Sequence, residues 1–180
     1  QFLFFRDYDL PYFNICGDIQ VTETRTWCRI ENQSFSLACW FACQRAFNEL
    51  EEFRFRLREE KVWVHDRITM GTTILNDDET FRFCYFPYAD AFDSFCQGAR
   101  DAIDRPPPQE MEDQPNNDAM IHGSTLPWVR FTSVTHPRRL GQQDSVPKIA
   151  IGRTTEVHGD VMMPLSVEVH HALMDGIHVS

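Results

Sequence analysis

Residues 163–176 read MPLSVEVHHALMDG, an alternating strand pattern that runs into two histidines and then an Asp-Gly pair. Every second residue from 165 to 169 is apolar, and His171 continues that row at the point where the strand stops. An imidazole that is shielded from bulk water at a strand end suits a general base. Asp175 and Gly176 turn the chain sharply and begin a helix. The stretch therefore predicts a catalytic histidine between a strand and a helix.

Two other interpretations of these histidines are open. A single inward histidine is often a hydrogen-bonded core residue, although the strand, the paired histidines and the Asp-Gly spacing together favour a base. The other interpretation is a zinc site, and its ligands would be His170, His171, Asp175 and His178. Adjacent strand residues face opposite ways, so His170 and His171 cannot easily share one metal. We therefore expect a site without metal.

The composition predicts one globular domain over residues 1–180. A chain of 180 residues with 42% hydrophobic residues is long enough to bury a core. The formal net charge of -10 disfavours nucleic acid or an anionic membrane as the main partner. No apolar run reaches the ~18 residues that span a bilayer and no signal-peptide pattern is recognisable, so we expect a cytoplasmic protein. Because the chain starts at Gln1 without a methionine and stops soon after Gly176, we expect a fragment truncated at both ends.

The spacing of apolar residues predicts both helices and strands. Helical spacing marks residues 35–50 and 91–103. Strand patterns mark residues 53–57, 62–64, 81–85, 128–134, 149–151 and 161–171, the last two forming a hairpin-like pair. Residues 105–118 are rich in proline and acidic side chains and are predicted to form a loop. Mixed helices and strands with hairpin connections favour an α/β sandwich with a mixed sheet.

Several segments resemble one enzyme family. Residues 164–179 resemble the active-site signature of the chloramphenicol acetyltransferases, and residues 124–129 (STLPWV) resemble the family's second motif at a matching distance from His171. Other segments that resemble the family, in the same order, are residues 4–6 with 10–11, residues 53–54 and residues 79–81. The resemblance covers nearly the whole chain.

The resemblance implies a fold, a reaction and an assembly. The fold would be the CoA-dependent acyltransferase fold, a two-layer α/β sandwich whose mixed β-sheet carries helices on one face. The reaction would move acetyl from acetyl-CoA to a hydroxyl of chloramphenicol in a ternary complex, which confers antibiotic resistance. The assembly would be a homotrimer with each active site at a subunit interface.

The resemblance also assigns catalytic roles. His171 would remove the proton of the acceptor hydroxyl, and Ser124 would donate a hydrogen bond to the oxyanion of the tetrahedral intermediate. Asp175 resembles a structural aspartate that pairs with an arginine, which would lie before residue 1. From the sequence alone Ser124 is equally well a turn hydroxyl, and Asp175 can also be a helix N-cap.

Four phenylalanines match positions of the acceptor pocket. Phe4, Phe5 and Phe81 resemble residues that line the pocket of the subunit next to the one that supplies His171. Ordinary core or interface packing is the alternative for each of them. Phe83 replaces a small pocket residue, which would crowd chloramphenicol.

Two positions are implied to lie near acetyl-CoA. Ala150 stands where family members have a threonine that helps to hold a water at the transition state. Arg153 keeps a basic charge near CoA, whereas Thr154 replaces an aromatic residue that could stack on adenine.

Two other functions are compatible with the sequence. The same acyl transfer could act on a different hydroxyl or amine acceptor, as the changes at Phe83 and Ala150 suggest. The chain could instead be a non-catalytic trimeric binding homologue with a decayed site. Retention of Ser124, His171 and Asp175 at their spacing argues against decay.

Overall fold

The structure is a computed structural model that describes residues 1–105, 118–139, 141 and 144–180. The helices in these residues are α1 Phe2–Phe5, α2 Thr22–Ile30, α3 Phe35–Glu49, α4 Phe92–Ile103 and α5 Gly176–Val179, with a 3-10 turn at Glu51–Arg54. The strands are β1 Tyr12–Gln20, β2 Phe55–Arg58, β3 Lys61–Val64, β4 Thr69–Leu75, β5 Phe81–Phe86, β6 Met120–Leu126, β7 Lys148–Gly152, β8 Thr155–Val157 and β9 Asp160–His170. Among the described helices, none combines the length and apolarity needed to cross a bilayer.

One mixed sheet organises the fold. Its strands lie in the order β1-β9-β7-β6-β4-β5, and the short β8 pairs with β9 as the other arm of a hairpin. The pairs β4–β6 and β6–β7 are parallel, whereas the remaining pairs are antiparallel. Strands β2 and β3 form a separate hairpin. The predicted mixed sheet is therefore confirmed.

The long helices pack on one face of this sheet. Trp40 of α3 lies so close to Gly123 on β6 that a Cβ atom added there would come within 2.7 Å of the indole. Phe95 of α4 packs edge-on against Phe86 of β5, with ring centroids 5.8 Å apart. The buried apolar side chains of this layer form a continuous core with the odd-numbered residues of β9. This two-layer arrangement matches the predicted sandwich.

On β9, the face opposite the helices is polar but buried. On β9, Ser166, Glu168 and His170 are all buried beneath the segment that follows β6. Glu168 is paired with Arg138 from that segment, so its charge is compensated. The alternation along β9 therefore separates an apolar face from a polar face, and both are buried over residues 166–170.

Some predicted elements differ from the structure. The strand expected at residues 128–134 is wrong, because β6 ends at Leu126 and Pro127 begins a turn without a backbone donor. The strand expected from residue 53 starts at Phe55 instead. Strands β1, β4, β6 and β8 and helices α1 and α2 were not predicted. In β4 (TMGTTIL), for example, glycine and threonine stand where apolar alternation would mark a strand. Most of the loop predicted at 105–118 lies outside the described residues.

Candidate active site

His171 lies directly after β9, where the strand ends. Its backbone N–H donates to the carbonyl oxygen of Pro11 at 2.7 Å, which ties the strand end to the segment before β1. Its Nδ1 lies 3.1 Å from the carbonyl oxygen of Met174. A carbonyl oxygen can only accept a hydrogen bond, so in the neutral ring Nδ1 carries the proton and the lone pair lies on Nε2. This is the tautomer that a general base acting through Nε2 requires.

Aromatic rings hold the imidazole of His171 in place. Phe5 of α1 stacks on it with ring centroids 3.8 Å apart and an interplanar angle of 18°. Phe13 of β1 approaches from a second direction, with centroids 4.7 Å apart. Phe5 thus contacts the His171 of its own chain, because the four-residue helix α1 folds back onto the turn after β9, and its place in the acceptor pocket remains a prediction. Phe4 projects outward and is 63% exposed.

His170 is the more buried of the two histidines and is unsuited to proton transfer at neutral pH. It is 3% exposed and contacts Tyr12 edge-on at 5.1 Å. Its Nδ1 accepts a hydrogen bond from the N–H of Ala172. Burial, aided by the nearby positive charge of Arg138, lowers the pKa of His170 to about 4. His170 is the hydrogen-bonded core histidine, and His171 is the half-buried one.

Asp175 begins helix α5 as its N-cap. Its carboxylate accepts from the N–H of Gly176 at 2.7 Å, and the Nδ1 of His178 accepts from the N–H of Asp175 at 2.8 Å. This reciprocal capping box stabilises the turn that follows His171. No arginine forms an ion pair with Asp175 within the described residues. The predicted arginine pairing remains a prediction.

The zinc site weighed from the sequence does not form in the described part of the chain. No group of three or more His, Cys, Asp or Glu side chains lies close enough there to hold a metal ion. The Nδ1 of His178 is occupied by the capping box, and that of His170 by a backbone N–H.

Ser124 lies on β6 and faces away from the helices, because its neighbour Gly123 faces Trp40. It pairs with Ala150 on β7, which in turn pairs with Ser166 on β9. His171 is five residues further along the chain than Ser166, so two strand spacings and five residues separate Ser124 from His171, roughly 19 Å. One chain alone therefore does not bring these two groups together.

The two phenylalanines of β5 lie on the Ser124 side of the sheet. Phe83 pairs with Thr73 on β4, and the adjacent Thr72 pairs with Gly123, so Phe83 and Ser124 share one row across the sheet, roughly 10 Å apart. Phe81 packs edge-on against Phe83 with centroids 5.9 Å apart and is itself 46% exposed. Both rings lie far from the His171 of the same chain.

Ala150 and Arg153 also lie near the Ser124 end of the sheet. Ala150 is fully buried in the centre of β7, next to Ser124. Arg153 follows β7, is exposed, and donates its backbone N–H to the carbonyl oxygen of Val129 at 2.9 Å.

Sequence reasoning missed two residues that contact the turn of His171. The side-chain amide of Gln1 lies 2.6 Å from the carbonyl oxygen of His171 and 2.7 Å from that of Met174. Phe13 supplies the second ring beside the imidazole. Both lie more than 150 residues away in sequence, so no local pattern near His171 indicates them.

Comparison with known proteins places this geometry in a family. The sequence profile described as "Chloramphenicol acetyltransferase" matches residues 1–180. Chloramphenicol acetyltransferase of Streptomyces acrimycini is 30% identical over 180 residues, covering 91% of this chain and 76% of the relative. Chloramphenicol acetyltransferase 3 of Escherichia coli is 27% identical, covering all of this chain and 86% of the relative.

Solved structures agree with the sequence relatives. A structure titled chloramphenicol acetyltransferase superposes with a TM-score of 0.89 at 29% identity, covering 99% of this chain and 87% of that one. A dihydrolipoamide acetyltransferase from Azotobacter vinelandii shares the fold at 14% identity, with a TM-score of 0.67 and coverage of 95% of this chain and 77% of that one. The chain belongs to the chloramphenicol acetyltransferase family.

Proposed function

We propose that this protein is an acetyl-CoA-dependent acetyltransferase that acylates a hydroxyl of chloramphenicol, with His171 as the general base. The observation that carries the proposal is the hydrogen bond from His171 Nδ1 to the carbonyl oxygen of Met174, which selects the neutral tautomer with the lone pair on Nε2. Stacking on Phe5 supports the role, because it fixes the ring plane and shields one side from water. Such an enzyme would act in the cytoplasm, where acetyl-CoA is available, and would confer resistance to the antibiotic.

The proposed reaction needs no enzyme nucleophile. Nε2 of His171 removes the hydroxyl proton of the acceptor as that oxygen attacks the thioester carbonyl of acetyl-CoA. The tetrahedral intermediate carries a negative charge on the former carbonyl oxygen, which the hydroxyl of Ser124 stabilises. When the carbon–sulfur bond breaks, the CoA thiolate takes up the proton from His171. The products are the acetyl ester and CoA thiol, and the base returns to its starting state.

We propose that each site is built from two chains of a homotrimer. The support is the separation of His171 from Ser124 along the sheet, since a base and an oxyanion donor must both contact the reacting groups. Exposed apolar side chains lie at both ends of the sheet. They are Leu3, Phe4 and Leu10 at the His171 end, and Leu75, Phe81 and Trp128 at the Ser124 end. Surfaces of this kind are typical of subunit contacts.

We propose that Arg153 contacts the phosphates of acetyl-CoA. The residue follows β7 three positions after Ala150, and Ala150 is the direct neighbour of Ser124. An exposed guanidinium at that strand end can reach an anionic group while the thioester lies near Ser124. The net charge of the chain is negative, so the CoA phosphates need such a local cation.

The activity is tested directly with purified protein, acetyl-CoA, chloramphenicol and a reagent that detects free thiols. We expect CoA release that depends on chloramphenicol, together with an acetylated product identified by mass spectrometry. CoA release that is equal with and without the drug would contradict the proposal.

Replacing Ser124 by alanine is expected to lower kcat by about 10²- to 10³-fold, because one oxyanion donor is lost. The KM for chloramphenicol should change little, since the hydrogen bond strengthens only as charge develops. Ser133→Ala, at an exposed serine of the segment after β6, is the matched control and should behave as wild type. Equal kcat values for the two variants would remove Ser124 from the mechanism.

A different acceptor is the second candidate, and the position of Phe83 favours it. The ring lies on the row of Ser124, where it takes up space that a bulky acceptor would occupy. An enzyme of this kind would acylate a smaller alcohol or amine more efficiently than chloramphenicol. A panel of hydroxylated and amino acceptors separates the two candidates by their kcat/KM values.

Replacing Phe83 by alanine is expected to lower the KM for chloramphenicol by about tenfold, because the change opens space in the proposed pocket. Phe81→Ala should act in the opposite direction, since it removes an exposed ring proposed to contact the acceptor. Steady-state kinetics of both variants measure the effects. A higher KM in the Phe83 variant would show that the ring binds chloramphenicol rather than crowding it.

A further inference from the structure

The side chain of Gln1 bridges the two ends of the turn that carries His171. Its Nε2 lies 2.6 Å from the carbonyl oxygen of His171 and 2.7 Å from that of Met174. A primary amide has two N–H groups, so each carbonyl receives one of them. The turn from residue 171 to residue 174 is thereby closed by a side chain that is distant in sequence.

The oxygen of Met174 links Gln1 to the imidazole itself. That oxygen accepts from Nδ1 of His171 at 3.1 Å as well as from the amide of Gln1. A carbonyl oxygen has two lone pairs, and these two donors occupy both of them. The position of this oxygen sets where the Nδ1–H points, and therefore where the lone pair of Nε2 is aimed.

Gln1 also supports His171 through helix α1. Its backbone carbonyl oxygen accepts from the N–H groups of Phe4 and Phe5 at 3.0 and 3.1 Å, which starts helix α1. Phe5 at the end of that helix stacks on the imidazole. One residue therefore contacts both supports of the ring: the turn that orients Nδ1 and the helix that presents the stacking phenylalanine.

We propose that Gln1 is a positioning residue for the base, and this rests on the proposed function of His171. The amide contacts no reacting atom. It holds the acceptor of the Nδ1–H in place, so that the imidazole stays in the reactive tautomer and orientation. This role requires a side chain at position 1 that donates two N–H groups to the carbonyl oxygens and carries no negative charge.

Two variants of Gln1 test this role. Gln1→Ala removes both donors, and kcat should fall by about tenfold while both KM values stay within about twofold of wild type. Gln1→Glu keeps the shape but places a carboxylate against two carbonyl oxygens and close to the imidazole. A negative charge favours the protonated imidazole, so the acidic limb of the pH profile of kcat/KM should move to higher pH.

Gln20→Glu is the control for the added charge. Gln20 is exposed at the end of β1 that lies away from His171. Tyr12, which pairs with His170, is eight strand residues from Gln20, so the two Cα atoms of β1 are roughly 26 Å apart. Its pH profile and kcat should match wild type. A merely structural role of Gln1 would lower the melting temperature of both Gln1 variants and leave the pH profile unmoved.

The outcomes distinguish this inference from the proposed function. If the wild-type chain transfers acetyl and His171→Ala does not, while both Gln1 variants keep wild-type kcat and pH profiles, Gln1 has no positioning role. If His171→Ala is as active as wild type, the proposed function itself fails. If the Gln1→Ala variant does not fold, the pH profile of Gln1→Glu alone decides the question.

Discussion

Replacing His171 by alanine is expected to lower kcat for acetyl transfer by about 10³-fold, because the acceptor hydroxyl then has no base to remove its proton. The geometry behind this expectation is the protonated Nδ1 held by the carbonyl oxygen of Met174 and the ring stacked on Phe5. The KM values should change much less than kcat, since the proton moves only in the transition state. Initial rates of CoA release at saturating substrates measure the effect.

His158→Asn is the matched control for the loss of one histidine. His158 lies in the turn between β8 and β9 with φ of 52°, a conformation that asparagine also tolerates. This variant should keep full activity. A His171→Ala protein that is folded and as active as the control would contradict the assignment of the base.

Replacing Arg56 by methionine is expected to lower the free energy of unfolding by about 4 kcal/mol, because several buried carbonyl groups lose their partner. Arg56 is fully buried, and its guanidinium donates to the carbonyl oxygens of Phe53, Phe55, Asp118 and Met120. Burial lowers the pKa of Arg56 to about 10, so the group stays charged at neutral pH. The residue joins the β2–β3 hairpin to the start of β6, the strand that carries Ser124.

Arg58→Met is the control, since Arg58 lies on the same strand with 43% of its side chain exposed and pairs with Asp118 at 2.5 Å. Loss of such a surface ion pair should cost less than about 1 kcal/mol. Urea unfolding at one protein concentration measures both variants, because the proposed assembly would make apparent stability concentration-dependent. Equal midpoints for the two variants would show that the buried guanidinium does not hold these elements together.

The helices and strands whose apolar residues recur at regular spacing were predictable from the sequence. Helical spacing placed α3 and α4 to within one residue, and the alternation in residues 161–171 placed β9 and its end. These predictions worked because each of these elements buries one face against a continuous core, which leaves a regular apolar pattern. The Asp-Gly pair after His171 likewise predicted the helix start that Asp175 caps.

Features that depend on the whole fold were not predictable. The alternation in β2 suggests that Arg56 faces solvent, yet the guanidinium is buried and donates to two neighbouring carbonyl oxygens and to those of the distant Asp118 and Met120. The contacts of Gln1 with His171 and Met174 join residues at opposite ends of the chain. The distance from His171 to Ser124 follows from strand order, which the sequence alone does not reveal.

The central claim is that His171 of one subunit acts with Ser124 of another. Co-expression of His171→Ala and Ser124→Ala chains with different tags, followed by isolation of the mixed trimers, tests it most directly. In the proposed homotrimer, each isolated mixed trimer has three interfaces, and one of them joins an intact His171 to an intact Ser124, so about a third of wild-type activity should return. Mixed trimers no more active than the two variants measured separately would show that both groups act within a single chain, which the strand register does not allow.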